Sequence, residues 1–345
     1  MHMADALLSP QVGGVMWGVT GAVTIYAAGK VKKDLDERRV PLMGVLAAFV
    51  FAAQMINFTI PGTGSSGHLG GGLLLAVLLG PHAGFLAIAS VLVVQALFFA
   101  DGGLLALGCN IFNMGAVACY VAYPLVYRKI VGGGTISGAR LLWGALLAAV
   151  AGLQLGALGV VLETTLSGVS ELPFASFLVM MQPIHLAIGV VEGLVTAGIV
   201  SFIWKTRPEI LGVTASDVVP GALPVRKVLV TLALATVVTG GLLSWFASEH
   251  PDGLEWSMLK VSGKEELPLP ENRVHSALEK IQEKTAFMPD YGFPADESIG
   301  GGEEGKGPVD LGTSAAGILG GVLVLLLGLV LGFGLKKRTA AGQRA

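Results

Sequence analysis

The 345-residue chain is short of charge: 13% of it is Asp, Glu, Lys or Arg, where a soluble globular protein carries about 25%. What charge there is nearly cancels, at a formal net of −2, so no strongly basic surface is available to a nucleic acid. Cysteine is nearly absent. Cys109 and Cys119 stand ten residues apart in one apolar run, about 1000° around a helix and so on different faces. That spacing disfavours a disulfide or a paired metal site and reads as two small buried residues. No Lys or Arg precedes Lys30, so the basic start of a cleavable signal peptide is missing and Met1 is expected to remain on the mature chain. Catalytic signatures are missing too. There is no GxxxxGK[ST], HExxH, GxSxG or cysteine-rich zinc pattern, and GAVTIYAAGK places its glycines wrongly to cradle phosphate. Any process driven by ATP would need its hydrolysis on another polypeptide.

What the chain does have is apolar length. Hydrophobic residues make up 53% of it and fall in long uncharged runs that read as membrane spans. Nine are expected, near residues 11–29, 41–59, 68–80, 83–100, 107–127, 141–162, 176–204, 227–246 and 314–335. Only Gly80-Pro81-His82 separates the third from the fourth, which leaves two short helices or one broken one. The expected fold class is an all-α polytopic membrane protein. Its 50 glycines sit inside the runs, as at Gly14–Gly18 and Gly152–Gly156, spacings that let membrane helices approach closely.

The positive-inside rule orients the spans. With the N terminus outside, Lys30, Lys32, Lys33, Arg38, Arg39, Arg128, Lys129 and Arg140 fall in cytoplasmic loops. The segment after the seventh span and the C-terminal tail add Lys205, Arg207, Arg226, Lys227, Lys336, Lys337, Arg338 and Arg344, sixteen of the 22 basic residues in all. The short external stretches 1–10, 60–67, 101–106 and 163–175 hold none. This topology puts the N terminus, the loop PGTGSSGH, Asp101, Glu163 and Glu171 on one external face. Residues 205–226 turn to Pro, Gly and charge and read as a cytoplasmic linker. The chain thus divides into a seven-span core at 1–204 and a two-span appendage at 227–345, with an external polar module at about 247–313.

The opening MHMADALLSP raises a chemical question, because a histidine directly follows the first methionine. The α-amine and the amide nitrogen of His2 close a five-membered ring on a metal. The same amide nitrogen and Nδ1 of the imidazole close a six-membered one. Three nitrogens then lie in a plane, and a fourth completes a square, the geometry of Ni(II) or Cu(II). Zinc prefers a tetrahedron, and Ca²⁺ or Mg²⁺ prefer oxygen. Methionine aminopeptidases generally spare a methionine before a residue as bulky as histidine, which would leave the amine in place. His68, on the same predicted face, is the candidate fourth donor.

Other polar residues in the apolar runs are weighed beside these. His82 falls in a predicted turn, where a solvated or capping role is expected. His185 and Glu192, seven residues apart, share nearly one face of the seventh span and read as a polar pair inside the bundle or a functional pair. Gln54 and Asn57, and Asn110 and Asn113, are i, i+3 pairs suited to hydrogen bonding between helices or to orienting a metal-bound imidazole.

Taken together, MHMADALLSP, PGTGSSGHLGGGLLLAVLLGP and VLVVQALFFADGGLLALGCNIFNMG resemble the substrate-binding M component of nickel and cobalt energy-coupling-factor transporters, the CbiM/NikM family. The resemblance runs from Met1 to about Trp204. HPDGLEWSMLK at 250–260 and TAFMPDYGFP at 285–294 resemble the small N component, or PDGLE domain, which some members carry fused. The resemblance implies a transport subunit rather than an enzyme. It implies a metal held by the N-terminal amine, the amide nitrogen and imidazole of the second residue and the histidine of the SGH motif, here Met1, His2 and His68. It also implies a prokaryotic cell membrane, and partners that comprise a transmembrane coupling (T) component and two ABC-type ATPases. Asn57, Gln95, Asn110 and Asn113 are candidates to steady the ligands from behind.

Two departures from the family pattern touch how the N-terminal segment tucks in. Ala6 stands where members often have Gly, and Gly70 where a larger apolar residue is common. Asp5 with Ser9-Pro10 leans toward the nickel-type opening. The substrate expected is Ni²⁺, with Co²⁺ for cobalamin synthesis as the alternative. An intramembrane metalloenzyme using His185 and Glu192, and an assembly protein that binds no metal, are the readings from other classes.

Overall fold

The computed structural model describes residues 1–34, 40–133, 135–211, 225–293 and 311–335. Among them, helix α1 spans Pro10–Asp34 and α2 spans Val40–Gln54. A hairpin of β1 (Phe58–Ile60) and β2 (Ser65–Gly67) follows, antiparallel, with Phe58 opposite Gly67 and Ile60 opposite Ser65. Then come α3 (Gly72–Leu79), α4 (Pro81–Phe98), α5 (Leu107–Val131), α6 (Gly138–Ser167) and α7 (Phe174–Thr206). The C-terminal part supplies α8 (Val225–Gly241), α9 (Gly253–Ser262), α10 (Arg273–Thr285) and α11 (Leu311–Leu335). The middle of α5, Ile111–Tyr127, has the wider i→i+5 winding and holds Pro124.

Six of these helices, α1, α4, α5, α6, α7 and α11, are long and apolar enough to cross a membrane. The chain is an all-α multi-pass membrane protein. The expectation of nine full spans needs correcting in its short members. The run 68–80 contains only the eight residues of α3, about 12 Å of helix against a hydrocarbon core of about 30 Å. Its first part, 68–71, is irregular chain, and Ser65 and Ser66 of the hairpin just before it are wholly buried in protein. Non-helical backbone is tolerated at such depth only where protein covers it. The run 41–59 is likewise helical only as far as Gln54, so Asn57 lies beyond the helix end and shares no helix face with Gln54. Gly80, at φ 84° and ψ 163°, breaks the third run from the fourth. The two helices fold back on each other, since a Cβ on Gly84 would fall 2.7 Å from the Ala76 nitrogen.

Glycine lets the long helices close up as the spacing suggested, though not everywhere it suggested. α6 and α7 run antiparallel in tight contact, where a Cβ on Gly193 would lie 2.6 Å from Cα of Leu146. α11 lies antiparallel along α2, with Gly320 over the ring of Phe51 and Gly328 over Gly44. Gly152 and Gly156 pack on α5. Gly14 and Gly18 meet nothing within 4 Å. On α1 the close approach belongs to Gly13, against Leu105, and to Gly108, against Met16 and Trp17.

The buried core is apolar and continuous, from Met3 and Leu8 through Phe51, Phe85 and Phe99 to Phe177. Cys109 and Cys119 are both free and buried, on the pattern expected. His82, expected in a turn, lies at the start of α4, half-buried, with Nδ1 3.1 Å from the Tyr120 hydroxyl. Of the 205–226 linker, residues 212–224 lie outside the described residues, as do 294–310 of the polar module and the C-terminal tail from 336.

Candidate metal centre

The first eight residues are laid into the bundle rather than left as a tail. Asn110, on α5, grips Met3 from both sides: its Oδ1 accepts from the Met3 N–H at 2.8 Å and its Nδ2 donates to the Met3 carbonyl at 3.2 Å. The Gly103 N–H donates to the same carbonyl at 2.9 Å. Asp5 then opens a short 3₁₀ turn, and its Oδ1 accepts from Ala106 at 2.9 Å. A Cβ on Gly103 would lie 1.8 Å from that oxygen, so the position accepts glycine alone.

These contacts deliver the terminal amine to the SGH loop. The Met1 nitrogen lies 3.1 Å from Nε2 of His68. The rings of His2 and His68 stack at 4.9 Å, 16° from parallel. Nδ1 of His68 lies 3.1 Å from its neighbour's carbonyl, Leu69 O, and donates to it, which leaves the lone pair on Nε2 facing the amine. Metal–nitrogen bonds of about 2 Å make the edge of a coordination square about 2.8 Å, so the amine and Nε2 already stand nearly an edge apart. All three residues singled out from sequence, Met1, His2 and His68, come together here.

The His68 loop is pinned by the bundle. The buried carboxylate of Glu192 on α7 accepts from the Gly70 N–H at 2.8 Å and the Gly71 N–H at 3.2 Å. Gln54 donates to the Gly70 carbonyl at 2.8 Å and accepts from Gln95 at 2.8 Å. Gln95 stands beside His2, and its Oε1 and Nε2 of His2 are both buried without another partner. An Nε2–H on His2 pointing at Gln95 frees Nδ1 as a lone-pair donor, the tautomer a chelate requires. A ladder of amides therefore joins the two imidazoles from behind. Gln95 lies beside His2 and Asn110 beside Met3, whereas Asn113 donates to Glu163 at 2.7 Å. Asn57 lines the mouth and meets the appendage through its backbone carbonyl. Glu192 is separate from His185, whose Nδ1 donates to Met181 O at 2.8 Å, so the two are not a pair.

The C-terminal part closes the centre from above. Every residue of the Pro251–Glu255 run has a role there. The Pro251 carbonyl accepts from Ser66 at 2.8 Å, continuing the hairpin. Asp252 caps α9, its Oδ1 accepting from Leu254 and Glu255, while Glu255 accepts from the Asp252 N–H at 2.8 Å. That is a capping box, spelled by an acid three residues before a glutamate. Gly253 lets α9 sit close against α7, since a Cβ there would fall 3.0 Å from Ile188, and Leu254 is buried. The free oxygen of Asp252, Oδ2, lies 2.5 Å from the Met1 amine and 3.8 Å from Nε2 of His68. Sequence reasoning missed Asp252 as part of the centre; the capping box was readable, but its second oxygen's target was not.

Further contacts hold the cover down. His275 of α10 is wholly buried, with Nε2 3.1 and 3.0 Å from the carbonyls of Asp5 and Leu8. Gln282 donates to the Ala96 and Gly102 carbonyls. The Tyr291 hydroxyl donates to Asp101 at 2.5 Å, and the other Asp101 oxygen lies 3.2 Å from Nδ1 of His2.

Burial and the amine's charge set the protonation of the centre. His2 and His68 are each pushed down to about 3 from 6.5, first by burial and then by the positive amine, so both imidazoles are neutral donors at neutral pH. Burial favours the neutral form of Asp252 too, but the amine beside it outweighs this and holds the carboxyl well below the usual range. Burial pushes Asp101 up, against the pull of the Tyr291 hydrogen bond. Glu255 is pushed up to about 7 by burial and by the charge of Asp252. Outside the centre a cavity of about 610 Å³ is lined by eight carboxylates and no Lys or Arg among the described residues, a field that concentrates cations at the mouth. Among the described residues no three His, Cys, Asp or Glu side chains form a ready-made metal cluster.

Comparison with known proteins bears on what this geometry serves. Residues 2–210 match the family model described as CbiM, cobalt uptake substrate-specific transmembrane region, and residues 226–337 match the PDGLE domain. The chain is 34% identical over 340 residues to a protein of Archaeoglobus fulgidus that carries the name of a putative fused nickel transport protein, NikMN, covering 96% of this chain and 98% of that one. It is 32% identical over 258 residues to the cobalt transport protein CbiM of Geobacter sulfurreducens, covering 71% of each. Among solved structures, the crystal structure of a transition metal transporter matches at 33% identity and a TM-score of 0.53, over 59% of this chain and 93% of that one. The chain belongs to the CbiM/NikM family of transition-metal transport membrane components, fused to a PDGLE domain.

Proposed function

We propose that this protein is the substrate-capturing membrane subunit of an energy-coupling-factor importer for Ni²⁺. The ion is held in a plane by the Met1 amine, the His2 amide nitrogen and Nδ1, and Nε2 of His68. The observation that carries this reading is the buried amine 3.1 Å from Nε2 of His68, next to two imidazoles already neutral. In that square the amine and Nε2 of His68 are neighbours, as they stand here. Binding expels a proton from the amine and one from the amide, and the carboxylates of Asp252 and Asp101 offset the charge the ion brings into a buried site.

The two-unit organisation fits this use. The core at 1–204 carries the donors, the 205–226 segment links it to the second unit at 227–345, and residues 251–291 of that unit's external module, about 247–313 by sequence, cover the donors. The N terminus then faces the outside of a prokaryotic cell membrane. A T component and two ABC-type ATPases drive the inward step, since the chain has no phosphate-binding loop of its own.

Co²⁺ is the competing substrate, and relatives bear both names. The planar nitrogen set favours nickel. Metal content of the intact, untagged chain, before and after N-terminal acetylation, tests the site. Acetylation removes one donor and should strip the tightly held ion; unchanged retention would refute the assignment. Equal retention of Ni²⁺ and Co²⁺ in direct competition would refute the preference.

A further inference from the structure

Beside the amine lies a small cavity of about 10 Å³, the size of one water molecule or one ion. Met1, His68, Asp252 and His185 all line it. His185 is wholly buried on α7, and its Nδ1 donates to the Met181 carbonyl at 2.8 Å. Its lone pair is therefore on Nε2, and that atom is buried with no hydrogen-bond partner. A buried acceptor left unpaired is a cost to the fold, and it faces the cavity beside the amine. Gly253 comes within reach of the same ring, 3.1 Å from Cε1 measured from a Cβ built there, so the cover presses on it too.

A second small cavity adjoins the first through shared walls at Gly70, Met114 and Leu153, and is lined by Glu192 and Asn113. Oδ1 of Asn113 is likewise buried and unpaired. Oxygen and nitrogen acceptors thus continue from the amine into the bundle, away from the mouth.

We propose that His185 is a second metal-binding station, which takes a divalent transition-metal ion from the terminal chelate through Nε2, with His68 as the donor shared between the two positions and the Asp252 carboxylate as a donor at the second alone. The step is a ligand exchange without change of oxidation state: bonds to Nε2 of His185 and to the Asp252 carboxylate form as those to the Met1 amine, the His2 amide nitrogen and Nδ1 of His2 break, and the amide nitrogen takes its proton from a water whose hydroxide stays on the ion. The station rests on the reading of the chain as a metal importer, and its donors suit borderline ions such as Ni²⁺, Co²⁺ or Zn²⁺.

The test uses the full chain in detergent and NiCl₂ as the probe, in four forms: unmodified, N-terminally acetylated, H185Q, and H185Q acetylated. The unmodified chain and H185Q should both hold one planar, tightly bound ion. The acetylated chain should keep a weaker, non-planar Ni²⁺, and H185Q in that background should weaken it by at least about tenfold. Equal residual binding in the two acetylated forms overturns the second station, and so does loss of the planar ion in H185Q alone. Failure of the unmodified chain to bind nickel would instead sink the importer reading itself. The amide that H185Q introduces keeps a donor for the Met181 carbonyl, and the fold of the variant is checked by its unfolding temperature. If the variant does not fold, Zn²⁺ titration of the acetylated, ¹⁵N-histidine-labelled chain decides: a shifted His185 Nε2 resonance supports the station and an unmoved one overturns it.

Discussion

The two halves of the centre are held in opposite ways. His68 belongs to the bundle: its loop is gripped from below by Glu192 and from the side by Gln54, and α3 follows at once. Met1 and His2 belong to a chain end. The segment that carries them is held at Met3 by Asn110 and Gly103 from the core, but from the appendage Asp252 meets Met1, His275 meets Asp5 and Leu8, and Tyr291 meets the Asp101 beside His2. One half is stiff by construction and the other is stiff only while the cover is down. A site assembled this way can be opened without unfolding the bundle, by lifting one helix cap and one histidine.

Each half can be weakened separately. The largest effect is expected from His68→Ala, which removes the fixed donor and should weaken nickel binding at least about a hundredfold in calorimetric titration. Glu192→Ala comes next. It strands two buried N–H groups at about 1–3 kcal/mol each and should lower both melting temperature and nickel affinity, whereas Glu192→Gln, which keeps an acceptor, should recover most of the loss. Unchanged affinity in Glu192→Ala would mean the loop needs no pin. His275→Ala frees the Asp5 and Leu8 carbonyls of the movable half. Stopped-flow binding should show faster nickel release, with affinity down about tenfold or less; a slower release would contradict the cover's role.

The smallest effect is a pH dependence shared by the halves. His2 and His68 are depressed to about 3 in the folded chain, against 6.5 when unfolded. Between those values the unfolded chain binds more protons, so stability is full above about pH 6.5 and falls as the pH drops toward 3. Melting temperature of the nickel-depleted protein should decline from pH 7 to pH 5, and less steeply in His68→Gln.

Much of this was legible in the sequence where local chemistry decides it. Long apolar runs mark the six full spans, and the count of Lys and Arg groups Met1, His68 and Asp101 at one end. Chelate-ring size singles out His2. What stayed hidden depends on contacts far apart in the chain. Hydropathy does not separate the eight-residue α3 and the irregular chain before it from a full span, because apolar chain is apolar in either shape. The His185–Glu192 spacing suggests a pair, yet tertiary packing sends one carboxylate to Gly70 and leaves the imidazole at the cavity. Asp252 lies 251 residues from the amine it meets, a distance no local pattern crosses.

The central claim is that the chain's own terminus supplies an amine and a deprotonated amide to the ion. Four nitrogens in a plane make Ni(II) low-spin and diamagnetic, so the most direct measurement is the magnetic state of nickel in the loaded, intact chain. A diamagnetic, four-coordinate ion that disappears on N-terminal acetylation is the result predicted. A paramagnetic, six-coordinate nickel that is indifferent to acetylation would contradict the account.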